Sequence, residues 1–151
     1  MPHIALALAA VFLVGLIVPA VAEVRIVAIG ASQTYGSGRG STNGGVSPAQ
    51  AFPAQLEALL RARGIDAHVS NEGVAGDTTA GMLSRLNGGV PEGTDVVILQ
   101  PGTNDGSPAM RGTTAGNIAE MRRRLAARHI PVIMLTQSLR IAPKDARDPD
   151  G

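Results

Sequence analysis

The run "DVVILQ", Asp95 to Gln100, limits the possible folds of this chain more than any other stretch. Val96, Val97, Ile98 and Leu99 follow one another without polar alternation, so a strand made from them has to be covered on both faces. Val24 to Ile29 reads the same way from Ile26 onward, with Arg25 its only polar residue. Each run breaks into small polar residues, "GASQTYGSGRGSTNGG" after the first and "PGTNDGSP" after the second. A helical pattern follows each break. Phe52, Leu56, Leu59 and Leu60 recur at helical spacing and stop at Gly64. Ile118, Met121 and Leu125 do the same further on. Between them, Ala67 to Ser70 reads as a faint second strand leading into "NEGVAGDTT". Thr78 is then placed to cap a helix that carries Met82, Leu83 and Leu86 and ends at Gly88-Gly89. Val132 to Leu135 supplies a fourth strand.

Strand, loop and helix repeated in this way predict right-handed βαβ units and an α/β fold, a flavodoxin-like, doubly wound parallel sheet between two helical layers. In such sheets ligands bind beyond the carboxyl ends of the strands. Ser32, the turn Gly73 to Asp77 and the turn Gly102 to Asp105 are therefore expected to converge on one crevice.

Composition narrows the chemistry. The chain has 151 residues, enough for one packed domain, and 44% of them are apolar against 17% charged. Thirteen basic and 12 acidic residues leave a net charge of +1, which favours neither nucleic acid nor a membrane surface. Arg122-Arg123-Arg124 reads as a solvated helix face. With no cysteine, disulfides, thiol catalysis and cysteine-ligated metals are excluded. His3, His68 and His129 are scattered without metal-ligand spacing, and Asp77 and Asp105 supply at most one ligand each, so no metal site is expected.

Residues 1–22 stand apart. Ile4 to Val18 is almost wholly aliphatic, and "PAVA" ends in small residues before Glu23, so the segment reads as a secretory signal peptide cleaved after Ala22. Met1-Pro2-His3 lacks the usual basic residue, and the alternative is an uncleaved membrane anchor. Either way residues 23–151 are expected outside the cytoplasm, periplasmic or secreted, with any membrane contact made through the leader alone.

Phosphate binding is the first chemistry a glycine-rich loop suggests. Gly36, Gly38 and Gly40 have the wrong spacing for a dinucleotide loop, and Lys144, the only lysine, is far from any Walker-type position. A serine at a sharp strand-to-loop turn suits acyl transfer better, because its hydroxyl projects above the sheet edge. The developing oxyanion then needs donors, and Gly76 and Asn104 on the neighbouring loops are suitable types. Taken singly, each is explained by an ordinary turn.

"GASQTYGSG", "AGDT" and "GTND", in this order and on these loops, resemble the first three motif blocks of the SGNH (GDSL-type) serine hydrolases. The likeness runs from about Val24 to the end of the chain and leans toward the secreted acyl thioesterase, lysophospholipase and arylesterase branch. It implies Ser32 as the nucleophile. The oxyanion hole is implied to be the Ser32 amide, the Gly76 amide and the Asn104 side chain; Thr34 and Gly36 also match the first block. No cofactor is implied, and the substrate is a small-molecule ester or thioester. There are two departures. Ala31 stands where the family usually has aspartate, which bears on loop rigidity rather than on the nucleophile. The fourth block, D-x-x-H, carries the general base, and here Asp150-Gly151 matches only its first half. Asp150 is then the residue that would orient the histidine, or else a solvated tail residue. The expectation is that the last helix of the fold is missing from this sequence. The 151-residue chain alone should be nearly inactive, since losing a triad base costs about 10⁴–10⁶ in rate. Two other readings stay open: a non-catalytic binding module with the crevice but no base, and a nucleotide-binding domain.

Overall fold

The computed structural model describes residues 22–36, 45–101, 104–106 and 111–135. Strands β1 (Val24–Gly30), β2 (Ala67–Gly73), β3 (Val96–Gln100) and β4 (Val132–Met134) form one sheet in the order β2-β1-β3-β4, and every pairing is parallel. A one-turn helix α1 (Ser32–Tyr35) follows β1. A 3₁₀ turn at Pro48–Gln50 leads into α2 (Phe52–Ala62), and α3 (Thr79–Gly89) and α4 (Arg111–Ala127) follow β2 and β3.

The sheet has a core on each face, as a doubly wound fold requires. Val27 and Ile29 of β1, with Val97 and Leu99 of β3, pack against Met82 and Leu86 of α3 and Met121 and Leu125 of α4. Ile26, Ala28, Val69 and Ile98 face the other way, against Phe52, Leu56 and Leu60 of α2. The unbroken apolar runs of β1 and β3 are thus shared between two cores. Among the described residues no helix is long and apolar enough to cross a membrane.

Two helix ends follow from backbone chemistry. After α2, Gly64 takes φ +77 and the Ile65 amide returns to the Leu60 carbonyl at 3.1 Å, satisfying acceptors the helix leaves open. The end of α4 uses the same device with His129 at φ 58 in place of glycine, and the Ile130 amide bonds the Leu125 carbonyl at 3.0 Å.

The sequence expectations needed three adjustments. The loop after β1 opens with helix α1, which a four-residue polar stretch cannot announce by periodicity. β2 continues past Ser70 to Gly73, because pairing with β1 holds polar residues in an edge strand whose outer side needs no apolar cover. α4 begins at Arg111, well before its first apolar marker. Asp150, the leader and Lys144 lie outside the described residues.

Candidate active site

Pairing levels the carboxyl ends of three strands. Gly30 of β1 stands opposite Gly73 of β2 on one side and Gln100 of β3 on the other. The order β2-β1-β3-β4 makes the gap between β1 and β3 the point where the chain changes faces, which is where open α/β sheets bind ligands.

Ser32 is the first residue of α1, two positions beyond β1, and is partly exposed. The turn beneath it is held from inside. Thr34 is completely buried and donates its hydroxyl to Gln100 Oε1 at 2.9 Å; Gln100 Nε2 in turn donates to Gln33 Oε1 at 2.7 Å. A Cβ on Gly30 would lie 1.9 Å from Thr34 Oγ1, so the fold-back of α1 requires glycine there. Gly36, at φ +104, closes the turn with its amide on the Ser32 carbonyl at 3.0 Å. Ala31, where the resemblance implies an aspartate, is 2% exposed and joins the core of Val27 and Ile29. Its methyl offers no cap to α1, and rigidity comes instead from the Thr34–Gln100–Gln33 chain of hydrogen bonds.

The second loop leaves β2 in close contact with this turn. A Cβ on Gly73 would meet the Tyr35 amide nitrogen at 2.1 Å, and the Val74 amide bonds the Gly30 carbonyl at 3.1 Å. The Asp77 amide then reaches the Val74 carbonyl at 3.1 Å, closing a turn with Gly76 at φ +79. That left-handed angle is what makes glycine the natural residue there. Gly76 is exposed, and among the described residues, its chain neighbours aside, no atom stands within 4 Å of where its Cβ would be. Asp77 accepts from the Thr78 amide at 2.9 Å and from Arg85 Nε at 2.8 Å.

The third loop is tied to the second. Asn104 is exposed, and its Nδ2 donates to the Asp77 carbonyl at 2.8 Å, which orients the amide and uses one of its two N–H groups. Next to it Asp105 is buried and accepts from the Thr79 amide at 2.8 Å and from the hydroxyls of Thr79 and Thr114. Burial pushes the Asp105 pKa up, but the Thr114 and Thr79 hydroxyls and the Thr79 amide outweigh it and hold the carboxyl below its ordinary value. Thr78 caps α3 as expected, accepting from the Gly81 amide at 3.1 Å.

Three of the four sequence-predicted site residues therefore share one edge: Ser32, Gly76 and Asn104 follow β1, β2 and β3. Asp150 lies outside the described residues. His68 is the second residue of β2, with Nδ1 3.2 Å from Glu57, and His129 sits between α4 and β4, so both belong to the amino side of the sheet. Among the described residues, no three histidine, aspartate or glutamate side chains gather as a metal site would need. Arg85 and Gln100 escaped the sequence reading. Gln100 carried a signal, since a polar residue ending a buried apolar run must find a partner. Arg85 carried none, because its partners are eight and 55 residues away.

Comparison with known proteins bears on the fold and the family. No curated protein sequence matches the chain. Among solved structures, AlinE4, an SGNH-hydrolase family esterase, is 32% identical with a TM-score of 0.62, over 75% of this chain and 58% of its own. TesA is 28% identical with a TM-score of 0.63, over 73% and 58%. The psychrotrophic esterase EstA from Pseudoalteromonas sp. shares the fold at 18% identity and a TM-score of 0.59, over 73% and 57%. The chain thus spans less than two thirds of the length of these structures. Residues 28–151 match the model of the GDSL-like lipase/acylhydrolase family, and the chain belongs to that family.

Proposed function

We propose that the protein is an exported serine ester hydrolase that works through an acyl-enzyme on Ser32. The carrying observation is the shared edge: a serine in the turn after β1, with the Gly76 amide and the Asn104 side chain on the next two loops and the Asp77 carbonyl joining those loops at 2.8 Å. Ser32 Oγ attacks the acyl carbonyl while the histidine of the D-x-x-H block, which Asp150-Gly151 matches in its first half, takes its proton. Asp150 is proposed to orient that histidine. The Ser32 and Gly76 amides and the remaining Asn104 N–H hold the tetrahedral oxyanion. Collapse breaks the ester or thioester bond, the base returns its proton to the leaving group, and water frees the acyl group. The chemistry requires no cofactor. The substrates proposed are small or lipid-derived esters and thioesters, of the lysophospholipase, acyl thioesterase or arylesterase kind, met after export through the leader.

Fluorophosphonate labelling of the full-length protein tests this reading. Covalent attachment at Ser32, lost in Ser32→Ala, is the expected result. Asn104→Ala should slow ester turnover by roughly 10²–10³, the usual effect of removing one oxyanion donor. Retained binding of an ester analogue without labelling would replace the enzyme with a binding module.

A further inference from the structure

One guanidinium ties the first loop of the site to the second, which in turn holds the third. Arg85 projects from α3, where Met82 and Leu86 are completely buried and fix the helix to the sheet. Its Nε donates to Asp77 Oδ2 at 2.8 Å, and its Nη2 donates to the Gly30 carbonyl at 3.1 Å. Gly30 is the last residue of β1 and lies two positions before Ser32. Asp77 directly follows Gly76, and its own carbonyl accepts Asn104 Nδ2 at 2.8 Å. Every donor proposed for the oxyanion hole thus lies within two residues of Gly30 or Asp77, or is hydrogen-bonded to the Asp77 backbone.

The seat is shaped for this pair. A Cβ on Gly81 would stand 1.9 Å from Asp77 Oδ1, so α3 carries a glycine, at a cost in helix propensity, where the carboxylate lies against it. The Asp77 side chain is 10% exposed and that of Arg85 24%. The carboxylate balances the guanidinium charge, which leaves geometry as the contribution of the pair. Arginine suits the task because its planar fork can satisfy two acceptors in fixed directions, and a lysine ammonium cannot do this with the same precision.

We infer that Arg85 is a positioning residue of the site: through Asp77 and the Gly30 carbonyl it sets the Gly76 amide and the Asn104 side chain in register with Ser32. This rests on the ester-hydrolase reading above. Displacements of about 1 Å at a reacting centre cost on the order of 10²-fold, so the effect belongs in the catalytic step and not in substrate affinity.

The test uses the full-length protein and its Arg85→Met, Arg85→Lys, Asp77→Asn and Asp77→Asn/Arg85→Met variants, with Ser32→Ala as control. Fluorophosphonate labelling rate, labelled fraction, thermal midpoint, and kcat and KM on a p-nitrophenyl ester are measured for each. Arg85→Met is expected to label to completion but roughly 10- to 100-fold more slowly, with kcat falling in step and KM within about twofold of the parent. Arg85→Lys should recover part of the rate. The double variant should be no slower than Arg85→Met, since the two residues act as a unit. Labelling of Arg85→Met at the parental rate overturns the inference. So does a reduced labelled fraction whose reacting molecules keep the parental rate, which would mean a purely structural role. If Arg85→Met does not fold, Arg85→Lys and Asp77→Asn decide: parental kcat in both overturns the inference. A parent that Ser32→Ala shows to be unlabelled at Ser32 removes the ester-hydrolase reading itself, and the inference with it.

Discussion

Gly30 needs no unusual backbone angle; it is not among the glycines with positive φ. What it supplies is room, since any Cβ would overlap the Thr34 hydroxyl at 1.9 Å and its Cβ at 2.8 Å. Gly30→Ala is therefore expected to destabilise the fold by about 1–3 kcal/mol through overpacking, read as a lower urea midpoint. Thr34→Val approaches the same contact from the other side. It keeps the shape but leaves the buried Gln100 Oε1 without its 2.9 Å donor, for a loss of roughly 1–3 kcal/mol. Should Thr34→Val unfold at the parental urea concentration, the Thr34–Gln100 bond would not be what stiffens the serine turn. At this scale the sequence exposed the residues whose type is unusual for their position: a serine after a buried strand, a glycine and an asparagine in turns. It hid Arg85, because an arginine on a helix reads as a solvated side chain until the fold brings Gly30 and Asp77 beneath it.

At the scale of elements, Asp105 fastens the third loop to α3 and α4 through Thr79 and Thr114. It occupies the amino end of α3, where a negative charge is also favoured by the helix dipole. Its carboxyl pKa is held below the ordinary 3.8, so the charged form stabilises the fold at neutral pH. The sign follows directly: this contribution is present above pH 3.8 and is lost as the pH falls through the lower folded-state value. Asp105→Ala should cost about 1.5–3 kcal/mol at pH 7, the range for hydrogen bonds to a charged group. Its deficit relative to the parent should shrink on acidification below pH 3.8. Urea titrations at pH 7 and pH 3 measure both, and a deficit equal at the two pH values would mean that the charge is not what matters. The elements themselves were readable where a period or a cap announced them. α2 shows Phe52, Leu56 and Leu60 on one face and α3 carries its Thr78 cap. α1 and the end of β2 were not readable, since a single turn has no period and an edge strand paired on one side tolerates "SNEG".

Over the whole molecule, the doubly wound sheet followed from the two-faced strands, and its order determines which strands stand at the edge. Among the described residues β2 is one of these, and an unpaired strand edge invites pairing with another chain. Here side chains occupy the edge. Arg61 Nε donates to the Ala67 carbonyl at 2.9 Å, Glu57 Oε2 accepts from the Val69 amide at 2.8 Å, and Asn71 Oδ1 accepts from the Gly73 amide at 3.0 Å. Glu57 also pairs with Arg61 at 3.1 Å, so α2 presents one linked cover to the strand. The amide of Val69 is the main reason the Glu57 carboxyl is held below 4.5; desolvation opposes it, while Arg61 and His68 assist. The cover is therefore charged at neutral pH and weakens only as the pH falls below that value. Glu57→Ala combined with Arg61→Ala should leave both cores intact and open the outer side of β2. The expected outcome is concentration-dependent association in sedimentation velocity at pH 7, absent from the parent under the same conditions, with little change in the thermal midpoint at low concentration. A double variant that sediments like the parent at every concentration would show that this edge is protected by something other than its side-chain cover.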